Sequence, residues 1–299
     1  MKRGLVVTGW MTQKIRWTAW TGVVLCLALL LTSWHDADAK TRKSRSKSKS
    51  RVKKASLATS GPSAISAVAV DVQTGEILYG KNQGRIQPIA SITKLMSALV
   101  FLDTHPDLNR TIQISAEGLM LPGRKRFRVG ERIVAHDLLC AALIASDNVA
   151  TKMLALSTGS ERGFVEKMNL KARALGLSET HFADPTGLNP DNVSTAMDCV
   201  RLVSIASRDD RISQIMRMQD YAFRSDRALH RIHTTNRLLK TNPDIVGAKT
   251  GFIRQSGYCL TTFVRGENQR EVAAAVLGAR SNSKRFSEMQ QLLNKVLGK

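Results

Sequence analysis

Cysteine is scarce in this chain of 299 residues. Four occur, and Cys26 lies inside an N-terminal apolar run. The remaining three, Cys140, Cys199 and Cys259, are an odd set, so an exported form leaves at least one unpaired or pairing between chains. Cys140 and Cys199 fall in apolar helical stretches and Cys259 in a strand-like one, which predicts buried small hydrophobes. No Cys/His spacing suits zinc. His230 and His233, three apart in a polar stretch, read as surface residues. Acidic residues are few as well: 24 Asp and Glu stand against 45 Lys and Arg, a formal net charge of +21. No internal repeat is visible.

A comfortable membrane span is missing too. The apolar run over 21–31 is shorter than the about 20 residues a crossing helix needs. It follows Lys2, Arg3, Lys14 and Arg16 and precedes Ala37-Asp38-Ala39, which predicts a secretory signal peptide over 1–39; an uncleaved membrane anchor is the rival reading. A Ser/Lys/Arg tract from Lys40 to Lys54 comes next, and a disordered basic linker is expected over 40–60. The tract is either a solvated linker or an electrostatic tether to anionic wall polymer or lipid headgroups. An export signal ahead of it argues against nucleic acid. Residues 1–54 hold 13 Lys and Arg against two acids, so the rest keeps 32 against 22 and suits an anionic polymer as substrate. One domain is expected over 61–299.

Three short clusters carry the chemistry. Ser91-Ile92-Thr93-Lys94 stands at the head of an apolar helical run, which places Ser91 at a helix start and Lys94 one turn on along the same face. Alone, such a pair is most often a solvated Ser and Lys, or a Ser serving as helix cap. Ser146-Asp147-Asn148 follows another apolar helix, and alone reads equally well as a polar break between helices. Lys249-Thr250-Gly251 lies between strand-like runs at 244–248 and 258–264, and lacks the glycine-rich lead of a phosphate-binding loop. Their joint occurrence in this order is what makes them specific.

Together the clusters resemble the S-x-x-K, S-x-N and K-T-G set of the penicillin-binding proteins and serine β-lactamases. The resemblance extends over about 63–297, through Gln73-Thr74-Gly75-Glu76, Pro88-Ile89-Ala90-Ser91 and His181-Phe182-Ala183-Asp184-Pro185-Thr186-Gly187-Leu188. The last segment, with Asn192 to Ala196, is similar to the D-alanyl-D-alanine endopeptidase branch of the low-molecular-mass penicillin-binding proteins. So is the chain beyond Gly251, 48 residues long and too short for another domain. The resemblance implies a serine D,D-peptidase of the periplasm acting on peptidoglycan peptide through an acyl-enzyme, with β-lactams as covalent inhibitors and no metal or organic cofactor. It makes Ser91 the nucleophile and Lys94 its base. Ser146 would relay a proton to the leaving amine, and Asn148 would orient Lys94 and bond the substrate amide. Lys249 and Thr250 would bind a substrate carboxylate or amide, and the N–H groups of Ser91 and Phe252 would form an oxyanion hole. Gly251 is expected to let substrate backbone lie close to its strand. Burial and the nearby Lys249 are expected to lower the pKa of Lys94. A carboxypeptidase is the alternative. A β-lactamase is disfavoured by the lack of an E-x-x-L-N-type loop between Asn148 and Lys249, and a non-catalytic wall-binding protein by the intact clusters.

The coarse architecture is α+β, a three-layer αβα plan. A hairpin is expected over 68–79, and helices over 92–102, 135–145, 149–156, 163–175 and 195–207, the last with a capping box from Thr195 and Asp198. Strands at 245–249, 258–264 and 271–277 and a helix over 284–296 complete it. The N- and C-terminal strands would share one antiparallel sheet, with a helical lobe between them in sequence.

Overall fold

The computed structural model describes residues 61–123, 125–266 and 269–298. The leader and basic tract read at 1–39 and 40–60 lie outside the described residues. In chain order the elements are β1 (Ser66–Asp71), β2 (Ile77–Lys81), β3 (Gln87–Pro88), a 3₁₀ turn (Ala90–Ile92), α1 (Thr93–Asp103), β4 (Thr111–Gln113), α2 (Ala116–Leu119), β5 (Arg132–Val134), α3 (Ala135–Ile144), α4 (Asn148–Leu156) and α5 (Glu161–Ala174). There follow β6 (Val193–Ser194), α6 (Ala196–Arg208), α7 (Asp210–Met216), β7 (Asp220–Arg224), β8 (Leu229–His233), β9 (Ile245–Ile253), β10 (Gly257–Arg265), β11 (Glu271–Ala279) and α8 (Asn282–Leu297).

The expected sheet forms. Its order is β2-β1-β11-β10-β9, antiparallel throughout, so strands from both ends of the sequence meet where β1 pairs with β11. Side chains alternate across a strand, and here both faces are covered. On β11, Ala273, Ala275 and Leu277 join the core of the helical lobe. Val272, Ala274 and Val276 join a second core with Phe286, Met289, Leu292 and Leu293 of α8. β1 is consequently buried at all six positions. Burial on both faces explains its near-continuous run of small and β-branched residues.

In the lobe, α1 is buried from Thr93 to Leu102 and is apolar on all sides because helices surround it. Thr195 caps α6 by accepting from Asp198 N at 3.0 Å, worth about 1 kcal/mol. The Asp198 carboxylate does not reach back to complete the box. It accepts instead from Glu179 N, Thr180 Oγ1 and Arg201.

Two departures from the sequence reading bear on the site. Strand β9 runs on through Thr250, Gly251 and Phe252 rather than ending at Lys249, because those residues keep their register with β10. An unexpected hairpin, β7–β8, turns Tyr221, Phe223, His230 and Ile232 to one face. There His230 stacks on Phe223 at 4.9 Å and bonds Glu131 at 2.6 Å. His230 is therefore no surface residue; His233 is exposed and pairs with Asp220. A polar ring on an alternating strand looks like loop in sequence until its carboxylate partner is known.

Candidate active site

Ser91 lies in the 3₁₀ turn ahead of α1, not at a capping position. The cap of α1 is Ile92, without a side-chain bond, so the Ser91 hydroxyl is free for other work. The turn is tightly held. Ala90 has φ +49°, a left-handed conformation costing about 1–2 kcal/mol for a residue with a Cβ. Two glycines back it. A Cβ on Gly187 would come within 2.1 Å of Ala90 O, and one on Gly251 within 2.7 Å of Ile89 O and 3.2 Å of Ser91 N. Gly251 is thus needed because the nucleophile's own turn presses on the free edge of β9. That reason is intramolecular, whereas the sequence suggested substrate approach.

Lys94, 1 % exposed, reaches three oxygens: Ser91 Oγ at 3.0 Å, Asn148 Oδ1 at 2.8 Å and Thr186 O at 2.5 Å. Burial lowers its pKa from the ordinary 10.5 to about 7, against the opposing pull of the Asp184 and Asp147 carboxylates. A neutral amine has two N–H donors and one lone pair. Asn148 Oδ1 and Thr186 O can only accept, so they take both donors. The lone pair is left for the one partner able to donate, the Ser91 hydroxyl.

Ser146 has φ +56°, and Asp147 rather than Ser146 caps α4, accepting from Ala150 N at 3.0 Å. The Asp147 carboxyl is pushed up by burial, opposed by the Ala150 N–H and by Arg126, whose guanidinium lies 3.3 Å away. Asn148 is clamped at both ends of its amide, since Nδ2 donates to Pro122 O at 3.0 Å. A cavity of about 150 Å³ lies beside it, lined by Pro122, Lys125, Arg126, Ser146 and Asn148 among others.

Across the cleft, Lys249 is equally buried and donates to Ser146 Oγ at 2.8 Å and to Thr250 O at 3.1 Å. Its pKa is pushed well below the ordinary value by burial, then by Lys94 and Arg285. Burial is thus the main cause of both shifts, and repulsion from Lys94 and Arg285 adds to it at Lys249. Thr250 Oγ1 bonds Thr235 Oγ1 at 2.6 Å. Phe252 is half exposed and stacks on Tyr258, ring centroids 4.2 Å apart.

The three clusters, 160 positions apart from Ser91 to Gly251, are thus joined by hydrogen bonds: Ser91 to Lys94 to Asn148, and Ser146 to Lys249. A family model described as D-alanyl-D-alanine carboxypeptidase matches residues 52–281. The chain belongs to this family of serine peptidases. It is similar to a D-alanyl-D-alanine endopeptidase of Pseudomonas aeruginosa, 37% identical over 236 residues, covering 76% of this chain and 75% of that protein. One from Escherichia coli is 33% identical over 235 residues, with the same coverage. Among solved structures it is similar to a Streptomyces DD-transpeptidase at TM-score 0.75 and 25% identity, covering 80% of this chain and 98% of the other.

Several residues of this family site escaped the sequence reading. Asp184 accepts from Thr186 N and Oγ1, Gly187 N, Asn189 N and Asn192 Nδ2, folding the 184–192 loop so that Thr186 O meets Lys94. Arg285, on α8, donates to Gly251 O at 3.0 Å and lies over the Tyr258 ring. The Asp-Pro-Thr-Gly segment was visible as part of the family resemblance, but nothing local shows that its carbonyl serves a lysine 92 positions away. Arg285 sits in an ordinary amphipathic helix and carries no signal at all.

Proposed function

We propose that this peptidase hydrolyses the D-alanyl bond to the side-chain amine of a diamino acid in cross-linked peptidoglycan, with Ser91 as nucleophile. The observation that carries the mechanism is Lys94: fully buried, 3.0 Å from Ser91 Oγ, with a pKa about 7 and both donors consumed elsewhere. It takes the Ser91 proton as Oγ attacks the D-alanyl carbonyl. The N–H groups of Ser91 and Phe252 receive the oxyanion. That proton passes by way of Ser146, which is bonded to Lys249, to the leaving amine, so Lys94 returns to the neutral amine and is again the base when water hydrolyses the ester. Lys249 and Thr250 take a carboxylate next to the leaving amine. An incoming anion would restore the charge that burial and two neighbouring cations suppress in Lys249.

The endopeptidase branch is favoured by the two relatives so titled at 37% and 33% identity. Carboxypeptidase action uses the same groups, since a terminal D-alanine also offers a carboxylate beside its amine. Mass spectrometry of digests at matched enzyme separates them: cross-linked dimers are cleaved faster than D-alanine is released from pentapeptide. Rapid D-alanine release with intact dimers would assign the carboxypeptidase reaction. A fluorescent penicillin should label the wild type and not Ser91→Ala. A penicillin released as fast as it acylates would mean a β-lactamase.

The chain is proposed to work in the periplasm after loss of residues 1–39, with 40–60 as a basic linker to the catalytic domain over 61–299. N-terminal sequencing of periplasmic protein should begin at Lys40. Recovery of the intact chain in membranes alone would mean an anchor. Among the described residues no helix is long and apolar enough to cross a membrane.

A further inference from the structure

Carboxylates and cations are unevenly shared out over this surface. Exposed Arg162, Arg211 and Arg265 and half-buried Arg270 each pair with a carboxylate. Other exposed cations, Arg85, Lys167, Arg173 and Arg254 among them, make no ion pair among the described residues, and six such cations gather on two joined segments. Lys125, Arg128 and Arg132 on the loop before and into β5, and Arg224, Arg227 and Arg231 on the β7–β8 hairpin, are all exposed, and none makes an ion pair among the described residues. The two segments are joined. Arg227 Nη1 donates to Val129 O at 3.0 Å, and Arg132 N donates to Asp226 Oδ1 at 2.9 Å. Phe127 packs edge-on against His230 at 5.3 Å, fixing the loop to the inner face of the hairpin.

The acids of this region do not neutralise it. Glu131 is turned inward, 1 % exposed, and is satisfied by His230, Ser225 and Arg128 N. Asp220, at the open end of the hairpin, pairs with His233. Asp226 alone faces outward near the six cations, and its Oδ1 is engaged by Arg132 N. Unpaired cations held close together repel one another and destabilise the fold slightly, so an anionic occupant gains from a field already built. Two exposed apolar side chains, Val129 and Leu229, sit within the ridge, as at a surface that is covered in use.

Position says which anion. At one end, Lys125 and Arg126 line the cavity beside Ser146 and Asn148. Arg126 is committed to Asp147; Lys125 is not. The ridge thus starts at the catalytic cleft and leads away from it, so its occupant is continuous with the chain being cut. We propose that this ridge is an exosite for the carboxylates of the acidic stem peptides that adjoin the scissile cross-link, an inference that rests on the peptidoglycan reading above. It selects the polymer by charge, at a distance from Ser91, and leaves the acylation chemistry unchanged.

The test uses the Ser91→Ala protein, so binding is read without turnover, and compares a cross-linked muropeptide dimer with its counterpart whose free carboxylates are amidated. The parent should bind the acidic dimer about tenfold or more tightly at low salt, with the difference fading above about 0.5 M as charges are screened. Arg128→Ser combined with Arg224→Ser and Arg231→Ser should remove that preference, and Arg128→Lys with Arg224→Lys and Arg231→Lys should restore it. In the Ser91 background, penicillin acylation of both triple variants should equal the wild type, which reports that the fold and the catalytic groups are intact. Equal affinity of the parent for acidic and amidated dimers overturns the exosite. So does a neutral triple variant that keeps the preference, or one that loses only a phosphate-rich polymer or anionic vesicles. Loss of penicillin acylation by wild type would instead sink the serine-peptidase reading, and is distinguishable from all of these.

Discussion

The site is made of two halves that treat a buried lysine in opposite ways. In the helical lobe, Lys94 is surrounded by acceptors and sits within reach of the Asp184 and Asp147 charges, which hold its pKa at about 7 against burial. On the sheet edge, Lys249 is as deeply buried but has a hydroxyl, a carbonyl and two neighbouring cations, and burial, then those cations, push its pKa well below the ordinary value. One lysine is poised at working pH by fixed carboxylates. The other has no counter-charge beside it among the described residues. Both shifts are downward, so above about pH 7 the folded state binds fewer protons than the unfolded chain, whose lysines titrate near 10.5. Their joint contribution to stability therefore increases as pH rises through that window.

The contrast is broken most strongly at Lys94 itself. Lys94→Arg keeps a cation that cannot deprotonate usefully, and the acylation rate constant with a penicillin should fall by ~10²–10⁴ or more. Lys249→Arg should instead raise the penicillin concentration needed for half-maximal acylation more than it lowers the limiting rate. Saturation kinetics on both variants decides. If Lys94→Arg acylates near the wild-type rate, the two lysines have been given the wrong roles.

Asp184→Asn sharpens the comparison next. It removes the largest influence holding the proton on Lys94, so the acidic limb of the acylation profile, centred near pH 7 in the wild type, should move to lower pH. Thr186 O would also lose its anchored loop, so the limiting rate should drop. An unmoved limb with a lowered rate would mean that Asp184 acts through the loop alone.

A smaller effect is expected from Gly251→Ala on the sheet side. Its Cβ would meet Ile89 O at 2.7 Å, so the turn carrying Ser91 must shift, at about 1–3 kcal/mol of stability. Denaturant unfolding measures that cost, and penicillin acylation should fall with it. Full stability with only peptide cleavage impaired would return the glycine to the role of admitting substrate.

The smallest effect concerns the cysteines, which lie in both halves. Burial pushes Cys140 up to about 12 and Cys259 to about 11, and raises Cys199 as well. With so little thiolate, the native protein should resist a thiol reagent and keep its acylation rate, and all three should react in denaturant. Rapid native-state modification at Cys259 would show that the sheet half opens readily.

Local pattern was enough for the elements that carry the motifs. The apolar run after Lys94 predicts α1, and the alternation around Thr261 predicts β10, each to within two residues. β9 was underestimated because Lys and Gly are poor strand residues singly; the pairing of Lys249, Thr250 and Gly251 with Thr261, Leu260 and Cys259 overrides that preference. The β7–β8 hairpin was missed because half of its inward face is polar, and its stability depends on Glu131, 99 positions from His230.

The sequence by itself determined which groups could act: one serine with a lysine a turn away, an asparagine behind a helix, and a lysine on a strand, in an order that few chains share. Those facts are local, set by spacing and periodicity. Tertiary structure alone decided how each group behaves. The pKa of Lys94 depends on burial and on carboxylates at 147 and 184, the need for glycine at 251 on a carbonyl at 89, and the lowered pKa of Lys249 on burial, Lys94 and Arg285. Desolvation and charge act through space with no regard for sequence separation, and so they appear only once the chain has folded.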